Sequence, residues 1–249
     1  MTMESKLGLC SISFRESSPE EILRAMQKAG LWVIEWGSDV HAPKDEPEKL
    51  RQLVRLQEQY RISCCSYGTY FRIGRDDPAE LEAYIVAAKL LRTNILRLWC
   101  GTKNSEQYTE EEKQQLFAQC RQVAKLAEEA EVTVCMECHG NSYTNRGAAA
   151  YELMQAVGSP NFRMYWQPNQ ARTLEENLDS AKLLAPYIEN IHVFNWTKTE
   201  KFPLAQAKEV WKTYLSYFAA GKTLLLEFMP DGQLASLEAE AEALKEIAK

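Results

Sequence analysis

Along this chain an apolar, β-branched run followed by an amphipathic helical pattern recurs eight times, at intervals of about thirty residues. The runs fall at 7–13, 32–37, 61–68, 95–101, 132–137, 162–166, 190–194 and 222–227. Each is followed by a helix signal. Ser18-Pro19-Glu20-Glu21 supplies an N-cap, a first-turn proline and acids at the positive end of the helix dipole, and Gly30 stops that helix. Thr109-x-x-Glu112 and Thr173-x-x-Glu176 are capping boxes. Further helices are expected from Pro47, from Asp77 to Leu91, over 148–157, over 204–219 and from Leu234 to the end. Strict alternation requires parallel strands joined by helical crossovers. Eight units within 249 residues close most simply into one (β/α)8 barrel domain spanning 1–249, an α/β TIM barrel. A doubly wound open sheet fits less well, because Ser13-Phe14-Arg15-Glu16 stands where its glycine-rich turn would follow the first strand.

A net charge of −6 and a pI near 5.3 argue against nucleic acid as a partner, since phosphate backbones require a basic surface. They leave room for a small anionic substrate held by local cations; Arg72, Arg172 and Lys198 fall near the strand ends. The seven cysteines, Cys10, Cys64, Cys65, Cys100, Cys120, Cys135 and Cys138, lie mostly inside apolar runs and read as reduced, buried thiols. Cys135-x-x-Cys138 on a strand would send its thiols to opposite faces, which speaks against redox or zinc work. Met1 to Phe14 lacks the pattern of a secretory leader, and no run approaches the ~18 apolar residues of a membrane span. The expectation is a cytoplasmic protein with no membrane partner, in which the sequon Asn195-Trp196-Thr197 is chance.

In a barrel of this kind, chemistry collects at the C-terminal strand ends. All three histidines fall there: His41 after the second strand, His139 closing the fifth and His192 in the seventh. Glu35, Glu137 and Glu227 are there too, with Trp36, Trp99, Trp166 and Trp196, and Tyr67 ends the third strand. Glu137 and His139 leave an extended backbone on one side, so both face inward if Met136 faces outward. Any of these alone reads more simply as a paired or packed structural residue. Their convergence on one rim is what points to a functional site.

Glu137, His192 and Glu227, with Gln167 between the fifth and seventh strands, are oxygen and nitrogen donors that suit Mn²⁺, Zn²⁺, Co²⁺ or Mg²⁺. A dication with open positions can chelate a carbonyl and its neighbouring hydroxyl and stabilise the enediolate left when an α-proton departs. A rim glutamate can take and return that proton. Aromatic rings offer apolar platforms to a sugar, and His41, His139 and Asn169 can orient its hydroxyls.

Ile34-Glu35-Trp36-Gly37, Glu137-Cys138-His139-Gly140, Trp166-Gln167-Pro168-Asn169, Ile191-His192-Val193 and Leu226-Glu227-Phe228 lie in order on successive strands. With them, nearly the whole chain resembles the sugar phosphate isomerase/epimerase family, the xylose-isomerase-like barrels. The resemblance implies one divalent metal per chain, held by Glu137, Gln167, His192 and Glu227. It also implies that Glu137 and Glu227 act as acid/base groups on opposite faces of a small sugar or sugar phosphate. Glu35, Trp36, His41, Tyr67, Trp99, His139, Asn169 and Trp196 are then expected to contact substrate. A homo-oligomer is a further expectation from the resemblance. The chain departs from the family at Gln167, where an aspartate is usual, so the donor set loses one negative charge.

The first functional reading is a metal-dependent isomerase or epimerase working through an enediolate. A lyase dehydrating a polyol would begin with the same proton abstraction. A carbohydrate-binding barrel that lost its metal at Gln167 would bind sugar without proton exchange. An apurinic-site endonuclease, which shares the fold, would need more histidines and a basic groove.

Overall fold

A computed structural model describes residues 5–249. The first four residues of the stretch read for a leader therefore lie outside the described residues. The eight expected strands are all present: β1 (Lys6–Cys10), β2 (Val33–Gly37), β3 (Ser63–Ile73), β4 (Ile95–Cys100), β5 (Thr133–Glu137), β6 (Phe162–Trp166), β7 (Ile188–Val193) and β8 (Thr223–Leu226). They pair in parallel and in chain order, and β1 pairs with β8 to close the barrel. The outer ring is α1 (Pro19–Ala29), α2 (Pro47–Tyr60), α3 (Leu81–Leu90), α4 (Glu110–Glu129), α5 (Gly147–Val157), α6 (Leu174–Leu184), α7 (Lys208–Leu215) and α8 (Leu237–Ile247).

Local chemistry sets these boundaries. Ser18, Thr109 and Thr173 each accept the backbone N–H three residues on, and Glu21, Glu112 and Glu176 each bond back to the cap. Gly30 ends α1 in the left-handed conformation. Several edges differ from expectation. The first strand stops at Cys10, where Ser11–Phe14 turns into a short 3-10 helix. The third strand runs on to Ile73, with a register shift against β4 between Gly68 and Arg72. The helices expected from 77, 204 and 234 each begin with a short 3-10 turn.

Side-chain alternation divides the core in two. Leu9, Ile34, Trp36, Met136 and Trp166 belong to the large cluster packed between sheet and helices. A small inner cluster of Cys10, Ile12, Val33, Cys135, Tyr165 and Leu225 fills the barrel. Cys135 in and Met136 out places Glu137 in the barrel, as the alternation requires. All seven cysteines are free thiols, and six of them are buried.

Closure depends on a close approach at Gly8, paired with Val33 on one side and Leu225 on the other. A Cβ there would overlap the Val33 carbonyl. Gly8→Ala should lower unfolding stability by about 1–3 kcal/mol through overpacking, read as a shifted urea midpoint with unchanged slope. A midpoint equal to wild type would contradict this closure.

Candidate active site

The mouth of the barrel is built on a buried charge network. Arg97, from the middle of β4, is 2% exposed and lies between two glutamates. Its Nε donates to Glu35 Oε1 at 3.0 Å and its Nη1 to Glu137 Oε2 at 2.5 Å. Glu137 Oε2 also accepts the Trp99 indole N–H. Behind Glu35, Ser66 Oγ donates to Oε2 at 2.9 Å, the Tyr165 hydroxyl donates to Ser66 Oγ at 2.6 Å, and Asn190 Nδ2 donates to that hydroxyl at 2.6 Å. The chain of bonds thus ties together β2, β3, β4, β5, β6 and β7. Gly68 makes space for it, since a Cβ there would lie 2.6 Å from Glu35 Oε1 and 2.9 Å from Arg97 Nη2.

His192 is fully buried beside Tyr165, with ring centroids 4.8 Å apart. Its Nδ1 stands 2.8 Å from Gln167 Oε1, 3.6 Å from Glu137 Oε1 and 3.8 Å from Glu227 Oε1. Its Nε2 is buried without a hydrogen-bond partner among the described residues and lies 3.6 Å from Glu35 Oε1. Glu227 follows the last residue of β8. The next residue, Phe228, holds a left-handed φ of 55° that is uncommon for an aromatic residue, and its N–H donates to Ser13 Oγ at 2.8 Å. That bond fixes the end of the strand over the turn after β1.

Burial raises carboxylate pKa values, and the network decides which glutamates escape this. For Glu35 burial is outweighed by the Arg97 charge, with His192 adding to it, and the pKa falls to about 2. Glu137 is likewise held well below the carboxylate range, because Arg97 and then His192 outweigh burial. Glu227 goes the other way. Burial raises it, Glu137 and Glu35 add repulsion, and the opposing charges of His192 and Arg97 do not compensate. Burial also pushes the Cys10 thiol far up.

Measured from His192 Nδ1, the oxygens of Gln167, Glu137 and Glu227 are spaced as donors around a divalent ion would be. Ligand atoms about 2.1 Å from a shared ion stand roughly 3–3.6 Å from one another. The spacings of 2.8–3.8 Å around His192 Nδ1 are close to that. Three buried carboxylates face one buried guanidinium, so two negative charges remain for a dication to neutralise before the imidazole is counted. Cys10, His192 and Glu227 offer three donor atoms within 4.8 Å of one another, and share His192 and Glu227 with that set.

The other expected contacts divide. Trp99 and His139 stack at the rim, ring centroids 5.2 Å apart, with the Arg72 guanidinium 4.4 Å over the Trp99 ring. Trp196 packs edge-on against Phe194 and Phe228 at the mouth. Asn169 walls a cavity of about 310 Å³ that adjoins Gln167 and Cys138, with Asn145, Arg172 and Asn177 around it. Its amide is already committed, donating to Asn145 O and accepting from Ala171 N–H. Trp36 and Tyr67 correct the expectation outright. Glu35 and Ser66 point into the barrel, so their neighbours point out: Trp36 donates to Gln57 on α2, and the Tyr67 hydroxyl to Ala42 O. His41 is also spent on structure, its ring nitrogens 3.1 Å from Ser11 Oγ and from Ser17 O. Lys198 is exposed, and Arg172 makes only loose ion pairs of 3.7 Å with Glu106 and Glu176. Five inward residues were missed: Arg97, Tyr165, Cys10, Ser66 and Asn190. A lone arginine between Leu96 and Leu98 was a readable signal; a thiol in an apolar strand was not.

A family model for the xylose isomerase-like TIM barrel matches residues 23–203. This chain belongs to that family. Over 223 residues it is 23% identical to the 3-dehydroshikimate dehydratase of Bacillus anthracis, covering 83% of this chain and 77% of that protein. The solved structure of the probable 3-DHS dehydratase AsbF from Bacillus anthracis superposes with a TM-score of 0.80 at 20% identity, covering 96% and 98% of the two chains. The D-psicose 3-epimerase of Clostridium cellulolyticum H10, solved with D-tagatose, gives 0.71 at 13% identity, covering 96% and 97%. At such identities the structural likenesses carry the fold alone. Two more structures of this fold hold metal: a Mycobacterium smegmatis protein with magnesium (TM-score 0.72, 11% identity, covering 98% and 97%) and the IOLI protein with zinc (0.74, 18%, covering 97% and 96%). Among the described residues no helix is long and apolar enough to cross a membrane.

Arg97→Met would strand Glu35 and Glu137 in the interior and should cost about 3–5 kcal/mol at neutral pH. The depressed pKa of Glu35 contributes stability that is complete above about pH 4.5 and disappears as pH falls towards about 2. The gap between wild type and Arg97→Met should therefore narrow on acidification, measured by denaturant unfolding at about pH 7 and about pH 4. An equal gap at both would contradict the role given to Arg97.

Proposed function

We propose that this chain is a divalent-metal-dependent enzyme that removes an α-proton from a small polyhydroxylated carbonyl compound, and that it completes the reaction by expelling water from a cyclic β-hydroxy ketone of the 3-dehydroshikimate class. The observation that carries this reading is the unequal treatment of the two axial glutamates. Glu137 Oε2 accepts from both Arg97 and Trp99, which makes that carboxylate a poor base. Glu227 receives no side-chain hydrogen bond among the described residues, so its two oxygens are left for the ion and for a proton. A dehydration needs one base that can also act as acid, whereas an epimerase needs a proton carrier on each face of its substrate. Similarity to a protein named as a 3-dehydroshikimate dehydratase supports the same choice.

In this reading Glu137, Gln167, His192 and Glu227 would hold the metal, with Glu227 keeping one oxygen for substrate. A bound dication would polarise the ketone and take up charge developing on its oxygen. Glu227 removes the α-proton, and the electron pair moves onto the carbonyl oxygen. As the enolate collapses, the β-carbon–oxygen bond breaks, and Glu227 returns its proton so that the hydroxyl leaves as water. Arg97 keeps Glu137 anionic throughout. Trp99 and His139 form one wall against the ring, and Trp196 with Phe228 forms the other.

Likeness to a D-psicose 3-epimerase, and two glutamates facing one axis, favour sugar epimerisation as the second reading. Mn²⁺-loaded protein would be incubated in D₂O with 3-dehydroshikimate and, separately, with ketohexoses. The expected result is loss of water from 3-dehydroshikimate, seen as new ultraviolet absorbance. Glu227→Gln should lower kcat by about 10²–10⁴ with little change in KM. Deuterium incorporation into a ketohexose without water loss would replace this reading with the second. No turnover or exchange on either substrate would overturn both.

A further inference from the structure

Arg72 is fixed at the rim of the mouth, yet no anion holds it there. β3 takes four residues from Gly68 to Arg72 where β4 takes two from Arg97 to Trp99. The excess carries Arg72 to the strand end opposite Trp99. There its guanidinium lies 4.4 Å over the Trp99 ring, which also stacks with His139 and donates its N–H to Glu137 Oε2. Nη1 donates to Gly101 O at 2.6 Å and to Asn141 O at 3.0 Å. Those carbonyls follow β4 and β5, so one side chain ties three strand ends together. Nε and Nη2 donate to no acceptor among the described residues. They form the edge of the fork that can take a carboxylate in two parallel bonds. The neighbouring arginines are differently placed: Arg15 pairs with Asp39, Arg75 with Asp76, and Arg97 with Glu35 and Glu137. Asp76 accepts the Arg72 backbone N–H, and Arg75 binds both its oxygens. Burial, and after it the like charge of Arg75, bring the Arg72 pKa below the ordinary arginine value. For Arg97 burial is outweighed by Glu137 and Glu35, and its pKa rises. A half-buried guanidinium left under-compensated in this way gains free energy from a bound anion.

We infer that Arg72 recognises a carboxylate on the substrate, and that it makes this mouth select anionic ring compounds over neutral sugars. This deepens the dehydration reading above and rests on it. The substrate class named there carries one carboxylate on its ring. The wall that this ring would meet is Trp99 with His139, the surface against which Arg72 is fixed. With Nη1 held by two carbonyls, the free edge of the guanidinium is set before substrate arrives, so less side-chain freedom is lost on binding. Once a dication answers the carboxylates below, Arg72 is an unanswered charge at the rim, and one carboxylate matches it. A ketohexose has no group for it to grip. No covalent step is involved: Arg72 holds the ring, and proton transfer stays with Glu227. A lysine there would keep the charge but could not hold two carbonyls and a carboxylate in one planar fork.

Binding gives the test without any assay of turnover. Loss of water from 3-dehydroshikimate leaves 3,4-dihydroxybenzoate, and catechol is the same ring without the carboxylate. Both offer the same two oxygens to an ion, so the comparison isolates the carboxylate. Their dissociation constants would be measured by calorimetry on Mn²⁺-loaded wild type, Arg72→Gln and Arg72→Lys. Wild type should bind 3,4-dihydroxybenzoate about tenfold to a hundredfold more tightly than catechol, the range for hydrogen bonds to a charged group. Arg72→Gln should lose that preference with catechol affinity unchanged, and Arg72→Lys should keep part of it. Methyl 3,4-dihydroxybenzoate needs no variant: masking the carboxylate should cost wild type about tenfold or more. Equal wild-type affinity for the acid, its ester and catechol, or a preference that survives in Arg72→Gln, would overturn the role of Arg72 and leave the dehydration reading standing. So would equal weakening of acid and catechol in Arg72→Gln, which is what a residue that only shapes the rim would give. Failure of wild type to bind either ring would overturn this role and the substrate class of the dehydration reading together.

Discussion

The Arg97 guanidinium between Glu35 and Glu137 is the interaction on which the rest of the site depends. Three carboxylates at the centre of a barrel would otherwise be driven to neutrality by burial. One fixed cation keeps two of them ionised and oriented, and leaves the third, Glu227, with a raised proton affinity. The hydrogen-bonded chain from Asn190 through Tyr165 and Ser66 to Glu35 anchors that cation from the opposite side of the barrel. The pair is therefore a structural tie and an electrostatic setting at once. A buried ion pair of this kind is weak evidence for net stability, but removing one partner is costly.

The same cation bears on Gln167. Family resemblance leads one to expect an aspartate there, and a neutral amide weakens the donor set. In this barrel the amide keeps the uncompensated carboxylate charge at two before the His192 imidazole is counted, the amount a single dication neutralises. An aspartate beside the present three glutamates would add a buried charge with no partner. The departure at Gln167 is thus consistent with a working metal site, and a loss of function is not needed to explain it.

Much of this was legible in the sequence. Eight alternating units could hardly do anything but close, and caps at Ser18, Thr109 and Thr173 appear where the residues put them. Glu35, Glu137, His192 and Glu227 were visible because charge at the end of an apolar strand demands a partner. Trp36 and Tyr67 were placed on the rim although strand alternation already opposed it: with Glu35 and Ser66 inside, their neighbours face the helices. Arg97 could have been found by the same alternation. His41 could not, since its partners Ser11 and Ser17 come from a turn whose path follows from the 3-10 helix after β1. Cys10 was hidden by its own chemistry, because a buried thiol reads as a small hydrophobe until its neighbours are known.

The proposed chemistry requires that this cluster hold an ion. Elemental analysis after incubation with Mn²⁺, Zn²⁺, Co²⁺ and Mg²⁺ and passage through gel filtration, on wild type and His192→Ala side by side, tests that most directly. About one dication should be retained per wild-type chain and lost in His192→Ala while the variant stays folded. Wild type and variant equally free of metal would contradict it.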